Sequence, residues 1–114
     1  MNIISWKSNY SDKVKDILDE KFANAELGTG LKVEDMNGWE DDGDGRYYRD
    51  VFIEYDDRDQ TDRYTLIFEE SIATKNSYEL FLLDNRGNDV WSEIISQEAL
   101  DKAINPKKST SLTP

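Results

Sequence analysis

Tyr10, Val14, Ile17, Leu18, Phe22 and Ala25 recur at the three- and four-residue spacing of a single helix face. Asp12, Lys13, Lys15, Asp16, Asp19 and Glu20 occupy the opposite face. Ser8 or Ser11 is placed to cap the start, and Gly28 to end the helix in a left-handed conformation. After a break at Gly28-Thr29-Gly30, Leu31 to Asp35 suits a short strand, and Asn37 to Gly45 is a loop dense in turn formers. From Arg46 to Asp56 the period becomes two. Tyr47, Val51, Ile53 and Tyr55 share one face, and Tyr48, Asp50, Phe52, Glu54 and Asp56 share the other.

Asp57 to Thr61 reads as a hairpin loop, with Tyr64, Leu66 and Phe68 on the returning strand. Tyr78 to Leu83 makes another strand, Asp84 to Asn88 a turn, and Val90 to Ile94 the last strand. Ser96 caps a final helix through Ile104, Ile95 and Leu100 have the spacing of a hydrophobic staple, and Asn105-Pro106 ends the helix. Hairpin-length connections imply antiparallel pairing. The expected fold is therefore α+β: an N-terminal helix, an antiparallel sheet of about four to five strands, and a short C-terminal helix packed on one face. Residues 1–106 form one domain and 107–114 a disordered tail; no internal repeat divides the 114 residues.

Composition narrows the chemistry. The chain has 37% hydrophobic and 11% aromatic residues, enough for a core, alongside 34% charged residues and a net charge of −11. It lacks cysteine and histidine, which removes thiol nucleophiles, thiolate zinc sites, and the commonest general base and transition-metal ligand. The N-terminus has no basic segment followed by an apolar run, and no stretch is long enough to span a bilayer; a cytoplasmic protein is expected.

The negative charge is concentrated. Between Glu34 and Glu70 fourteen acids face four arginines, a net of −10, whereas the rest of the chain is close to neutral. Packing like charges onto one loop and one hairpin opposes folding by self-repulsion, so the block is expected to form an interaction surface. The competing explanation is a hairpin whose charges guard a sheet edge against aggregation. On an extended strand Glu54 and Asp56 would point the same way about 6.6 Å apart, a spacing of the order of that between phosphates. The candidate partner-binding residues are Trp39, Glu40, Asp41, Asp42, Asp44, Asp50, Glu54, Asp56, Asp57, Asp59 and Asp62. Trp39 and Tyr48 are candidate aromatic anchors beside the charge, while Tyr47 suits core packing better.

Glu40 to Gly45 partly matches a calcium loop, with acids at the first, third and fifth positions and glycine at the sixth. It departs from that pattern at the first residue, which is Glu, and at the twelfth, Val51, where a bidentate Glu belongs. No metal site and no cofactor are expected. Gly28-Thr29-Gly30 lacks the remainder of a phosphate loop, and no nucleophile has a recognisable partner, so no catalytic residue is assigned. Lys102, Lys107 and Lys108 are too few to bind nucleic acid or an anionic membrane against this net charge.

Size, acidity and cysteine-free α+β composition give the chain the general appearance of the small acidic proteins of phages and mobile elements that block CRISPR, restriction or repair enzymes. The expected function is thus a monomeric, non-catalytic inhibitor that imitates nucleic acid on a basic protein, a nucleic-acid-binding enzyme. An immunity protein neutralising a cognate nuclease toxin requires the same electrostatics. A plain adaptor module, acidic only for solubility, is the third alternative.

Overall fold

The computed structural model describes residues 8–28, 30–43 and 45–104, with side chains from residue 12 onward. The elements are α1 (Ser8–Ala23), β1 (Leu31–Met36), β2 (Glu40–Asp41), β3 (Tyr47–Tyr55), β4 (Thr61–Glu70), β5 (Ser77–Leu83), β6 (Asp89–Ser96) and α2 (Gln97–Ile104). They form the expected α+β fold, a curled antiparallel sheet with the strand order β1-β3-β4-β5-β6 and β2 paired beside β1 on the same edge of β3. The tail at 107–114, the cap side chains of Ser8 and Ser11, and Asp44 lie outside the described residues.

Helix α1 buries Val14, Leu18 and Phe22 as its periodicity requires. It ends at Ala23, well before Gly28. The Asn24 and Ala25 N–H groups donate to the carbonyls of Lys21 and Phe22 at 3.3 and 3.0 Å, and the Asn24 side-chain amide donates to the Glu20 carbonyl at 3.0 Å. These bonds tighten the last turn and satisfy its free carbonyls, so the helix closes locally. Gly28, at φ 112°, serves the loop beyond instead of the helix cap.

The alternation in the central strands places Tyr47, Val51 and Ile53, Tyr64, Leu66 and Phe68, Tyr78, Leu80 and Leu82, and Ile95 on one face. Both helices cover that face, α2 contributing Leu100 and Ile104. A bulge between Val33 and Asp35 lets both Val33 and Met36 pack toward this core from the edge strand. Ser96 caps α2 by accepting the Ala99 N–H at 3.0 Å, and Ile95 and Leu100 are both buried, as the staple spacing requires. The Tyr78 hydroxyl donates to Gln97 Oε1 at 2.7 Å and ties α2 to β5. Among the described residues, no helix is long and apolar enough to cross a membrane.

The turn between β5 and β6 is held by Asp84, whose Oδ1 accepts the N–H groups of Arg86 and Asn88 at 2.9 Å each. Those bonds, Asn88's first and Arg86's second, hold the Asp84 carboxyl below its ordinary value of 3.8. A depressed carboxylate stabilises the fold above its unfolded-state pKa, and that contribution disappears as pH falls through the lower folded-state pKa. Melting temperatures from pH 6 to pH 2 are therefore expected to fall less steeply for Asp84→Ala than for the wild type. Parallel curves would remove the turn carboxylate from acid sensitivity.

Candidate functional site

Strand β3 carries the centre of the acidic window, and its alternation decides which acids act together. Tyr48, Asp50, Phe52 and Glu54 lie on the face opposite the helices. Glu40, directly across from Tyr48 on β2, joins them, and Lys32 of β1 stands across from Glu54. Asp50 Oδ2 accepts the Asn37 side-chain amide at 3.2 Å, which fastens the β1–β2 connection to β3.

The remaining acids divide between the two ends of β3. At one end Asp42 donates its N–H to the Arg46 carbonyl at 3.2 Å, and Asp41 Oδ1 accepts the Gly43 N–H at 2.8 Å, a side-chain-closed turn that keeps the loop short. At the other end Asp56, Asp57 and Asp59 are exposed on the β3–β4 turn. β3 stops at Tyr55, so Asp56 opens that turn, although its N–H still donates to the Gly30 carbonyl at 2.9 Å. Nine strand residues separate the acidic ends by about 26 Å. Asp50 and Glu54 are the acids of β3 that lie between them.

Asp62 lies apart from this surface. It pairs with Ile53 and therefore shares the helix-side face, near its open end. Its Oδ1 accepts Gln60 Nε2 at 2.9 Å and its Oδ2 accepts the Tyr55 hydroxyl at 2.8 Å; Gln60 first and Tyr55 second hold the carboxyl below its ordinary range. The Tyr55 and Tyr64 hydroxyls also share a hydrogen bond at 2.9 Å. That bond is the first cause of the raised Tyr55 pKa, ahead of desolvation. The Arg58 guanidinium caps the Tyr55 ring at 4.3 Å from its centroid and lies 3.7 Å from Asp57.

Trp39 faces inward. It packs against the core, its indole N–H donates to Asp19 Oδ1 at 2.9 Å, and Arg49 lies 5.0 Å from its ring centroid. Arg49, only 9% exposed, also donates through Nη1 to Asp19 Oδ1 at 2.6 Å and through Nε to the Asn37 carbonyl at 2.7 Å. One buried guanidinium thus joins α1, β3 and the root of the acidic loop. The sequence pattern gave no sign of this role for Arg49 beyond its place on the apolar face of β3.

Ion pairing leaves most of the window's charge uncompensated. Among the described residues, Glu69 pairs with Arg46 at 2.9 Å and Asp57 with Arg58, while Glu40, Asp41, Asp50, Glu54, Asp56 and Asp59 have no base within 4.0 Å. Glu40 and Asp41 are strand residues and β3 follows their loop, so the helix-flanked frame of the calcium motif is missing. Among the described residues, no three acids converge to hold a metal ion. No protein-family model, curated protein or solved structure matches the chain, and the site's own chemistry supplies the basis for a functional assignment.

Proposed function

We propose that the protein is a non-catalytic inhibitor that occupies a basic surface of a nucleic-acid enzyme in place of nucleic acid. The observation that carries this proposal is the run of carboxylates without an ion-pair partner among the described residues, from Asp41 and Glu40, through Asp50 and Glu54, to Asp56 and Asp59. Its length of about 26 Å corresponds to roughly seven or eight nucleotide steps at ~3.4 Å each. A groove lined with Lys and Arg to neutralise phosphates would meet negative charge at both ends of β3 and between them. The same charge opposes close pairing of two copies through this surface and supports a monomer.

Affinity purification from a bacterial lysate, followed by mass spectrometry, supplies the enzyme to test. The variant with Asp41, Asp42, Asp44, Asp56, Asp57 and Asp59 all changed to Asn is expected to keep its melting temperature and lose affinity about 100-fold. This assigns roughly 0.5 kcal/mol to each charge removed. Wild-type affinity should also fall steeply between 50 and 300 mM salt. Unchanged affinity in the variant, or indifference to salt, would overturn the proposal.

A further inference from the structure

The face of the sheet opposite the two described helices carries more than charge. Tyr48, Ile67 and Phe81 stand directly opposite one another on β3, β4 and β5 and form a continuous apolar row across three strands. Strand spacing makes the row about 10 Å long. Ile67 is 8% exposed, yet among the buried apolar residues it alone falls outside the core cluster. Tyr48 and Phe81 flank it on the neighbouring strands, and the row lies on the face opposite the described helices.

Acids surround this row. Glu40 extends it beyond Tyr48, Asp50 stands two residues along β3, and Glu69 and Glu79 face each other two residues along β4 and β5 on the other side. Arg46 offsets Glu69, whereas Glu40, Asp50 and Glu79 have no ion-pair partner among the described residues. The bases Arg63 and Lys32 sit farther along the face, opposite Phe52 and Glu54. An apolar centre rimmed by carboxylates matches a partner with the reverse charge arrangement.

We propose that this Tyr48–Ile67–Phe81 row is the docking centre for a basic protein segment that inserts an aliphatic or aromatic side chain between flanking Lys or Arg residues. It rests on the charge-driven function above and adds a non-electrostatic anchor to it. The anchor distinguishes a protein partner's surface from simple attraction between opposite charges, since buried apolar contact survives salt that screens the rim. A second copy of the chain is the poorer occupant, because it would bring the same carboxylate rim against this one.

Two synthetic peptides of equal charge test the assignment, one alternating Lys and Trp and one with each Trp replaced by Ser. Binding is followed by amide shifts of the full-length labelled protein at low and high salt. The Trp peptide is expected to bind at least 10-fold more tightly, to shift the amides of residues 48, 67 and 81, and to retain the advantage at high salt. Phe81→Ser should abolish the advantage, and so should Ser92→Arg, because Ser92 of β6 stands directly opposite Phe81 and a large side chain there crowds the end of the row without removing any apolar contact. Equal binding of both peptides would overturn the anchor while leaving the electrostatic function standing; binding of neither would overturn both. A dimer in sedimentation that Phe81→Ser dissolves would assign the face to a second copy. Cross-peaks from Phe81 to residues 105–114 in the free protein would assign it to the chain's own end, and either result would overturn the proposal.

Discussion

Phe68→Ala is expected to lower stability by about 3–5 kcal/mol, the range for emptying a large buried aromatic site. Phe68 is fully buried and lies between two other rings, stacked on Tyr47 at 6.3 Å and on Tyr78 at 5.3 Å between centroids. These contacts run across β3, β4 and β5, so the change removes the shared filling of three strands at once. Against the ~5–15 kcal/mol stability usual for a small domain, such a loss populates the unfolded state at moderate temperature. It corresponds to a melting temperature lower by about 15 °C or more. Denaturant titration followed by circular dichroism measures it, and a loss below about 1 kcal/mol would show that the stack collapses around the cavity. The expected loss exceeds any from the exposed acids, whose removal relieves repulsion, and this separation allows binding and stability to be measured independently.

The apolar periodicity of this core was legible in the sequence because each position of β3 serves one face only. Tyr47, Val51 and Ile53 are buried beneath the helices, and Tyr48, Asp50, Phe52 and Glu54 turn away. The acidic window was equally legible as a count, but its division was not. Asp41 and Asp59 are close in sequence but stand at opposite ends of β3, and Asp62 turns to the other face because β4 pairs it with Ile53. Register across strands settles such placements, and register is not contained in either strand alone. The row beneath the charge did leave a trace. Leu66-Ile67-Phe68 and Leu80-Phe81-Leu82 interrupt alternation with consecutive apolar residues, which signals strands apolar on both faces. Trp39 gave the opposite impression: its setting among turn formers suggested an exposed anchor, while Asp19, twenty residues earlier, draws the indole inward.

Arg49→Met is expected to cost about 2–3 kcal/mol and to loosen the acidic loop before the rest of the fold. Breaking a buried charge pair from one side is among the costlier single changes, though here Asp19 is 45% exposed and regains solvent. What water restores poorly is the geometry. The Asn37 carbonyl loses its 2.7 Å donor, and Trp39 loses the guanidinium from its face. Arg49→Lys should recover only part of the loss, because a single ammonium cannot bond Asp19 and the Asn37 carbonyl along separate fork directions while lying over an indole. A red-shifted Trp39 emission, measured with Trp6 and Trp91 replaced by Phe, would report the loosened loop below the global melt. Affinity for a basic partner should fall as well, although no carboxylate has been altered, because Glu40 to Asp42 must then be ordered on binding. If the loop keeps its emission and the affinity is unchanged, Asn37 and the β2–β3 pairing suffice to position it, and Arg49 contributes to stability alone.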